Sequence, residues 1–260
     1  MKLLISCFAA VFLLLAPAAQ AADEISIAAA ADLQYVMPEL TQQFEKQTGQ
    51  RVKVTFGSSG NFTSQIQNGA PFDLFFSADM NYPRHLDQAG LIEAGSIYHY
   101  ADGKIVLWAL KSTNIDISRG LQVLLDSKIH KIAIANPEHA PYGRAAVAAL
   151  TREDIYSRVQ SKIVLAENIS QAAQFVDSGA AEVGIVARSL AAAPGVRDKG
   201  KYLNIPEADY PAIEQGCAIL KSSQHKQAAR QFLEFINTPA AARVLEEFGF
   251  GLPREVPPQT

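Results

Sequence analysis

The chain is poor in cysteine and tryptophan and, past its first residues, has no long apolar run. It carries two cysteines, Cys7 and Cys217, and a single tryptophan in 260 residues. Cys7 lies in the apolar segment Leu3–Leu15, which follows Met1-Lys2 and precedes the small-x-small sequence Ala19-Gln20-Ala21. That order of charge, short apolar stretch and small residues reads as an export signal spanning residues 1–21, cleaved near Ala21. Cys7 does not read as a lipid-attachment site, because an apolar region should precede such a cysteine rather than follow it. Once the signal is removed Cys217 stands alone, so an internal disulfide is excluded. Within Cys217-Ala218-Ile219-Leu220 it reads as a small buried hydrophobe rather than a nucleophile. No later stretch approaches the length of a membrane span. The mature chain is therefore expected to be soluble, exported and periplasmic.

Positive charge is also scarce. Without Lys2, 22 basic residues face 26 acidic ones. This excludes the basic stripe that nucleic acid requires, so no nucleic-acid partner is expected. Any anion has to be held by local donors rather than by a global field. The five histidines lack the spacing of a zinc site, and no free metal cation or cofactor is expected.

What is present is an alternation of strand and helix. Strand signals fall at Ile25–Ala29, Val52–Phe56, Asp73–Ser77, Lys104–Leu110, Lys131–Ala135, Val164–Glu167, Val183–Ala187 and Ile213–Leu220. Helical patterns fall at Leu33–Gln47, Phe62–Asn68, Pro83–Gln88, Gly143–Thr151, Gln171–Ser178, Gln224–Ile236 and Pro239–Phe248. The alternation predicts an α/β fold with largely parallel sheets, whose ligands sit at strand carboxyl ends against helix N-termini. Crossings near Asp102–Lys104 and Ile205–Asp209 divide the chain into two lobes, 22–103 with 207–252 and 104–206, followed by a tail at 253–260. Four polar strand-to-helix junctions recur: Ala31-Asp32, Ser58-Ser59, Pro141-Tyr142-Gly143 and Asn168-Ile169-Ser170. Each collects unpaired backbone N–H groups at the positive end of a helix dipole, which suits a small oxyanion.

At these residues the chain resembles the periplasmic molybdate-binding proteins of ABC transporters. The resemblance is carried by Ala28-Ala29-Ala30-Ala31-Asp32-Leu33, by Phe56-Gly57-Ser58-Ser59-Gly60 and by Gly69-Ala70-Pro71-Phe72-Asp73-Leu74-Phe75-Phe76-Ser77-Ala78-Asp79. Asn136-Pro137-Glu138-His139-Ala140-Pro141-Tyr142-Gly143, Gly184-Ile185-Val186 and Gly249-Phe250 complete it, from Ile25 to Leu252. It implies a type II periplasmic binding fold, two α/β lobes with a ligand cleft between them. The implied ligand is molybdate or tungstate, and the implied partner is an inner-membrane ABC-transporter permease served by a monomer. Carried over by position, the ligand contacts are Ala31, Asp32, Ser59, Tyr142 and the backbone of Ile169, with Ser58 and Asn168 secondary. Some relatives place a tyrosine after the Gly-Ile-Val strand; here that position is Ala187, and Tyr142 offers a phenol from its own turn.

Asp32 is the departure, because relatives commonly carry serine or asparagine there. An ionised carboxylate only accepts, and close to a dianion it repels. Three readings stand: Asp32 caps the helix from Leu33 and offers only its N–H; it accepts a proton from a partly protonated oxyanion, favouring phosphate-like ligands; or it does not touch the ligand. Among the remaining residues Trp108 is expected in a core strand and His139 in a turn. Arg144 is expected to face solvent, and Asp79 to cap a helix or line the lobe interface. A binding protein for another oxyanion, such as sulfate, is the nearest rival. An enzyme is a remote one: Ser58 or Ser59 with His139 suggests a hydrolase, but Gly-Ser-Ser-Gly is not a nucleophile elbow.

Overall fold

Strand-to-helix alternation builds two five-stranded sheets. The computed structural model describes residues 24–253, so the export signal and nearly all of the tail lie outside the described residues. In the first sheet, β1 (Glu24–Ala30) pairs in parallel with β2 (Arg51–Gly57) and β3 (Leu74–Ser77). β10 (Ile213–Ile219) runs antiparallel between β3 and β4 (Tyr98–Gly103), giving the order β2-β1-β3-β10-β4. The second sheet has the order β7-β6-β8-β5-β9. Its strands are β5 (Ile105–Leu110), β6 (Ile132–Ala135), β7 (Ile163–Ala166), β8 (Val183–Ala187) and β9 (Gly200–Asn204). The chain passes between the sheets twice, at Lys104 alone and again over 205–212.

Both faces of the first sheet are covered, which explains why β1 is apolar on both sides. On one face α1 (Val36–Thr48), α8 (Lys226–Ile236) and α9 (Pro239–Glu247) bury Met37, Leu40, Phe44, Phe232 and Leu245 against Ile25, Ile27 and Phe76. Phe44 and Phe232 meet edge to face at 5.0 Å. On the other face α2 (Ser59–Gln67) and α3 (Asn81–Gln88) bury Phe62, Ile66 and Leu86 against Ala28, Phe75 and Ala218. The second sheet carries α4 (Pro141–Arg152), α5 (Tyr156–Val159), α6 (Ile169–Asp177) and α7 (Arg188–Ala191). Trp108 is buried on β5 and Cys217 on β10, where burial pushes the thiol well above its ordinary range.

Local chemistry sets the boundaries. α1 ends where Gly49 takes φ 74° and donates to the Glu45 carbonyl. Thr238 caps α9 ahead of Pro239, accepting from the Ala241 N–H. Two strands escaped the sequence pattern, β4 and β9. Both are sheet edges, and Tyr-His-Tyr-Ala-Asp-Gly and Gly-Lys-Tyr-Leu-Asn lack the continuous apolar run of a central strand.

Candidate functional site

Three helices begin where the lobes meet. An α-helix leaves its first-turn N–H groups without intrahelical acceptors. In α2, Ser58 is the N-cap and accepts from Asn61, while the Gly60 N–H crosses to the His139 carbonyl at 2.9 Å. The Ser59 N–H is left over. A Cβ on Gly60 would strike His139 backbone, so this close approach requires glycine. In α4, Pro141 has no N–H, and Gly143 and Arg144 donate to the Ala140 carbonyl, leaving Tyr142. In α6, Asn168 accepts from Gln171 at 3.0 Å through its side chain and from Ala172 through its carbonyl, leaving Ile169 and Ser170. Ser59 is fully buried, and its Oγ accepts from the Ala78 N–H at 2.9 Å, so the hydroxyl proton remains available.

Asp32 does not cap a helix. Residues Ala31–Leu33 form a 3-10 turn without a side-chain cap, and α1 starts only at Val36. Its carboxylate instead crosses to the other lobe. Oδ2 accepts from the Tyr142 hydroxyl at 2.9 Å and from Gln215 Nε2 at 2.5 Å. Gln215 Nε2 also donates to the Tyr142 hydroxyl at 2.9 Å, and Gln215 Oε1 accepts from the Tyr100 hydroxyl at 2.5 Å. The Tyr142 phenol, expected to reach the ligand, spends its proton on Asp32. Gly103 makes room for it, since a Cβ there would collide with the Tyr142 hydroxyl. Asp32 Oδ1 is buried and has no partner, and the Asp32 carbonyl accepts from Ser189 Oγ at 2.8 Å. Burial lifts the Asp32 carboxyl from 3.8 to about 6, against the lowering pull of the bonds from Gln215 and Tyr142. Burial, then the neighbouring Asp32 carboxylate, pushes the Tyr142 and Tyr100 phenols well above their ordinary range.

Further polar contacts tie the lobes together. Arg144 does not point freely into solvent: it pairs with Asp79 at 2.5 Å and donates to the Tyr82 hydroxyl. Asp79 also accepts from the Asn81 N–H at the start of α3. Asn61 bonds Glu167, and Ser170 bonds Gln34. His139 Nδ1 lies 3.0 Å from Ser58 Oγ, the one contact that a hydrolase reading needs. Ser58 Oγ is however engaged as a helix cap and buried, and His139 Nε2 stands 3.9 Å from Glu167. An open groove of about 600 Å³ runs beside these contacts, lined by Gly60, Asn61, Asp79, Tyr82, His139 and Arg144. Ala31, Asp32, Ser59, Tyr142 and Ile169 do not line it; they lie deeper and are all buried.

Gln215, Tyr100 and Ser189 escaped the sequence reading. The available signal was the alternation of the strand Ile213–Ile219, which puts Gln215 on the same face as Ile213 and Cys217.

The two-lobed α/β fold has counterparts among known proteins. The family described as bacterial extracellular solute-binding protein matches residues 25–251. The chain belongs to that family. It is 41% identical to the molybdate-binding protein ModA of Azotobacter vinelandii over 92% of this chain and 94% of that one. It is 35% identical to ModA of Rhodobacter capsulatus over 88% of this chain and 89% of that one. The solved periplasmic molybdate-binding protein of A. vinelandii superposes with a TM-score of 0.83 at 37% identity, covering 88% of this chain and 100% of that one. The expected periplasmic-binding fold of two α/β lobes is thus borne out.

Proposed function

We propose that this solute-binding protein captures molybdate, and tungstate by the same geometry, in the periplasm and delivers it to an inner-membrane ABC permease. The observation that carries the reading is the set of leftover donors at the lobe junction. The N–H groups of Ser59, Tyr142 and Ile169, with those of Ala31 and Asp32 at the end of β1, stand on helix or turn starts from both lobes. Neutral donors on rigid elements suit a tetrahedral dianion, whose charge is met by dipoles without a cation. Similarity to the Azotobacter and Rhodobacter molybdate-binding proteins over nearly the whole chain supports the same ligand. One lobe, 22–103 with 207–252, offers Ala31, Asp32 and Ser59; the other, 104–206, offers Tyr142 and Ile169; closing on the anion joins them. The engaged Ser58 hydroxyl favours a carrier over a hydrolase.

A thermal-shift panel on purified mature protein with molybdate, tungstate, sulfate, phosphate and chromate tests this. Ligand at about a thousand times its dissociation constant should add about 4 kcal/mol of stability. Molybdate and tungstate are expected to give the large shifts, sulfate little. A protein indifferent to both molybdate and tungstate would defeat the reading.

A further inference from the structure

A carboxylate beside an anion site is an electrostatic contradiction, and the surroundings of Asp32 show how it is resolved. The side chain is completely buried and joins no ion pair among the described residues. The groups facing it are neutral: Tyr142 from α4, Tyr100 from β4 behind Gln215 of β10, and Ser189 of α7 on its carbonyl. Tyr210, which takes the Ile105 N–H, is a third phenol near Tyr142. Arg188, the cation of α7, lies along Gly249. At the groove Arg144 pairs with Asp79, and the His139 ring lies 3.9 Å from Glu167.

The two oxygens are treated unequally. Oδ2 takes both donors, from Tyr142 and Gln215, while Oδ1 is buried with none. Tyr100 fixes the Gln215 amide so that its NH₂ faces Oδ2. A buried charged oxygen without a donor is unfavourable, whereas a neutral acid with its proton on Oδ1 is a hydrogen-bond donor in search of an acceptor.

We propose that Asp32 enters the anion-bound state as the neutral acid, its Oδ1 proton donated as a hydrogen bond to an oxygen of the bound oxyanion, so that each anion captured takes up one proton. The inference rests on the molybdate reading above. Above neutral pH molybdate is a dianion, so the proton comes from solvent. It binds the Asp32 carboxylate as the cleft closes and returns to water when the anion leaves, and no covalent bond of the anion changes. Asparagine at this position would hold its NH₂ at the Oδ1 place, because Tyr142 and Gln215 demand an acceptor at the other.

Isothermal titration calorimetry of molybdate binding, in two buffers of different ionisation enthalpy from about pH 6 to about pH 8.5, counts the protons. For the wild type we expect uptake near one proton per anion and an affinity falling up to about tenfold per pH unit across part of that range. Asp32→Asn should bind with no uptake and a flat pH profile, overtaking the wild type at the alkaline end. Wild-type binding without proton uptake, or uptake unchanged in D32N, overturns the proposal and leaves the molybdate reading standing. Failure of the wild type to bind molybdate at any pH overturns the ligand reading and this proposal with it. Should D32N fail to fold, the wild-type proton count alone decides.

Discussion

Asp32 also leaves a mark on folding stability. In the unfolded chain its carboxyl titrates near 3.8, and in the fold near about 6, because burial disfavours the charge. Between those values the folded state holds the extra proton, so stability falls as pH rises. The loss is absent below the lower value and complete above the upper one. Its size is about 3 kcal/mol for this one group. Asp32→Asn removes the group, and comparison with the wild type cancels every other titration. Urea unfolding of ligand-free protein from about pH 4 to about pH 7 should show the wild type losing ground to D32N by up to that amount. A wild type that gains on D32N as pH rises would contradict the assigned direction. Little of this was legible in the sequence. The position of Asp32 in its motif was, but Gln215 lies 183 residues away and Tyr142 110, and no local pattern announces partners at that distance.

At the scale of elements, the helix starts are where sequence and structure part. Periodicity places helices from Phe62, Gly143 and Gln171, whereas α2, α4 and α6 begin at Ser59, Pro141 and Ile169. Periodicity does not mark these starts: Ser-Gly-Asn of α2 is small and polar, and Tyr142 and Ile169, though buried, stand single beside Pro141, Gly143 and Ser170. Capping chemistry marks them instead: serine and asparagine precede α2 and α6, and proline opens α4. The shift bears on the proposed site, because it makes Ser59, Tyr142 and Ile169 first-turn residues with N–H groups to donate. Two cap deletions separate stability from binding. Asn168→Ala should cost about 1 kcal/mol of stability and weaken molybdate binding as well, since α6 holds the Ile169 and Ser170 donors. Thr238→Ala should cost a similar amount, about 1 kcal/mol, at the start of α9 with binding unchanged. Paired thermal melts and titrations check both; equal effects on binding would undo the assignment of α6 to the site.

At the scale of the molecule, the alternation of elements made the α/β class legible, while the contacts that hold the lobes together were not. Arg144 shows why. Read locally it is a charged residue in the first turn of a helix, yet its partners Asp79 and Tyr82 belong to the opposite side of the groove. This half-exposed pair is screened by water and contributes about 1 kcal/mol at most. Arg144→Ala should therefore leave each lobe folded and the melting temperature nearly unchanged. The ligand-free population should shift toward open forms, weakening molybdate binding up to about fivefold. Small-angle scattering without ligand should report a larger radius of gyration, and a titration the weaker affinity. Unaltered scattering and affinity would show that the pair does not hold the cleft.

The single residue Lys104 between β4 and β5 has a mechanical consequence. Two bodies joined by one residue and, across from it, one short strap behave like a door on two pins. Such a connection favours rotation about the line through both joints over sliding. Gln215 and Tyr100 stand on β10 and β4, the strands that feed those joints. The turning axis therefore passes beside the residues that grip Asp32. Of the side-chain bonds of Asp32 and Gln215 among the described residues, those of the Tyr142 hydroxyl alone join the two lobes, so a swing of the lobes is met there, close to the pins.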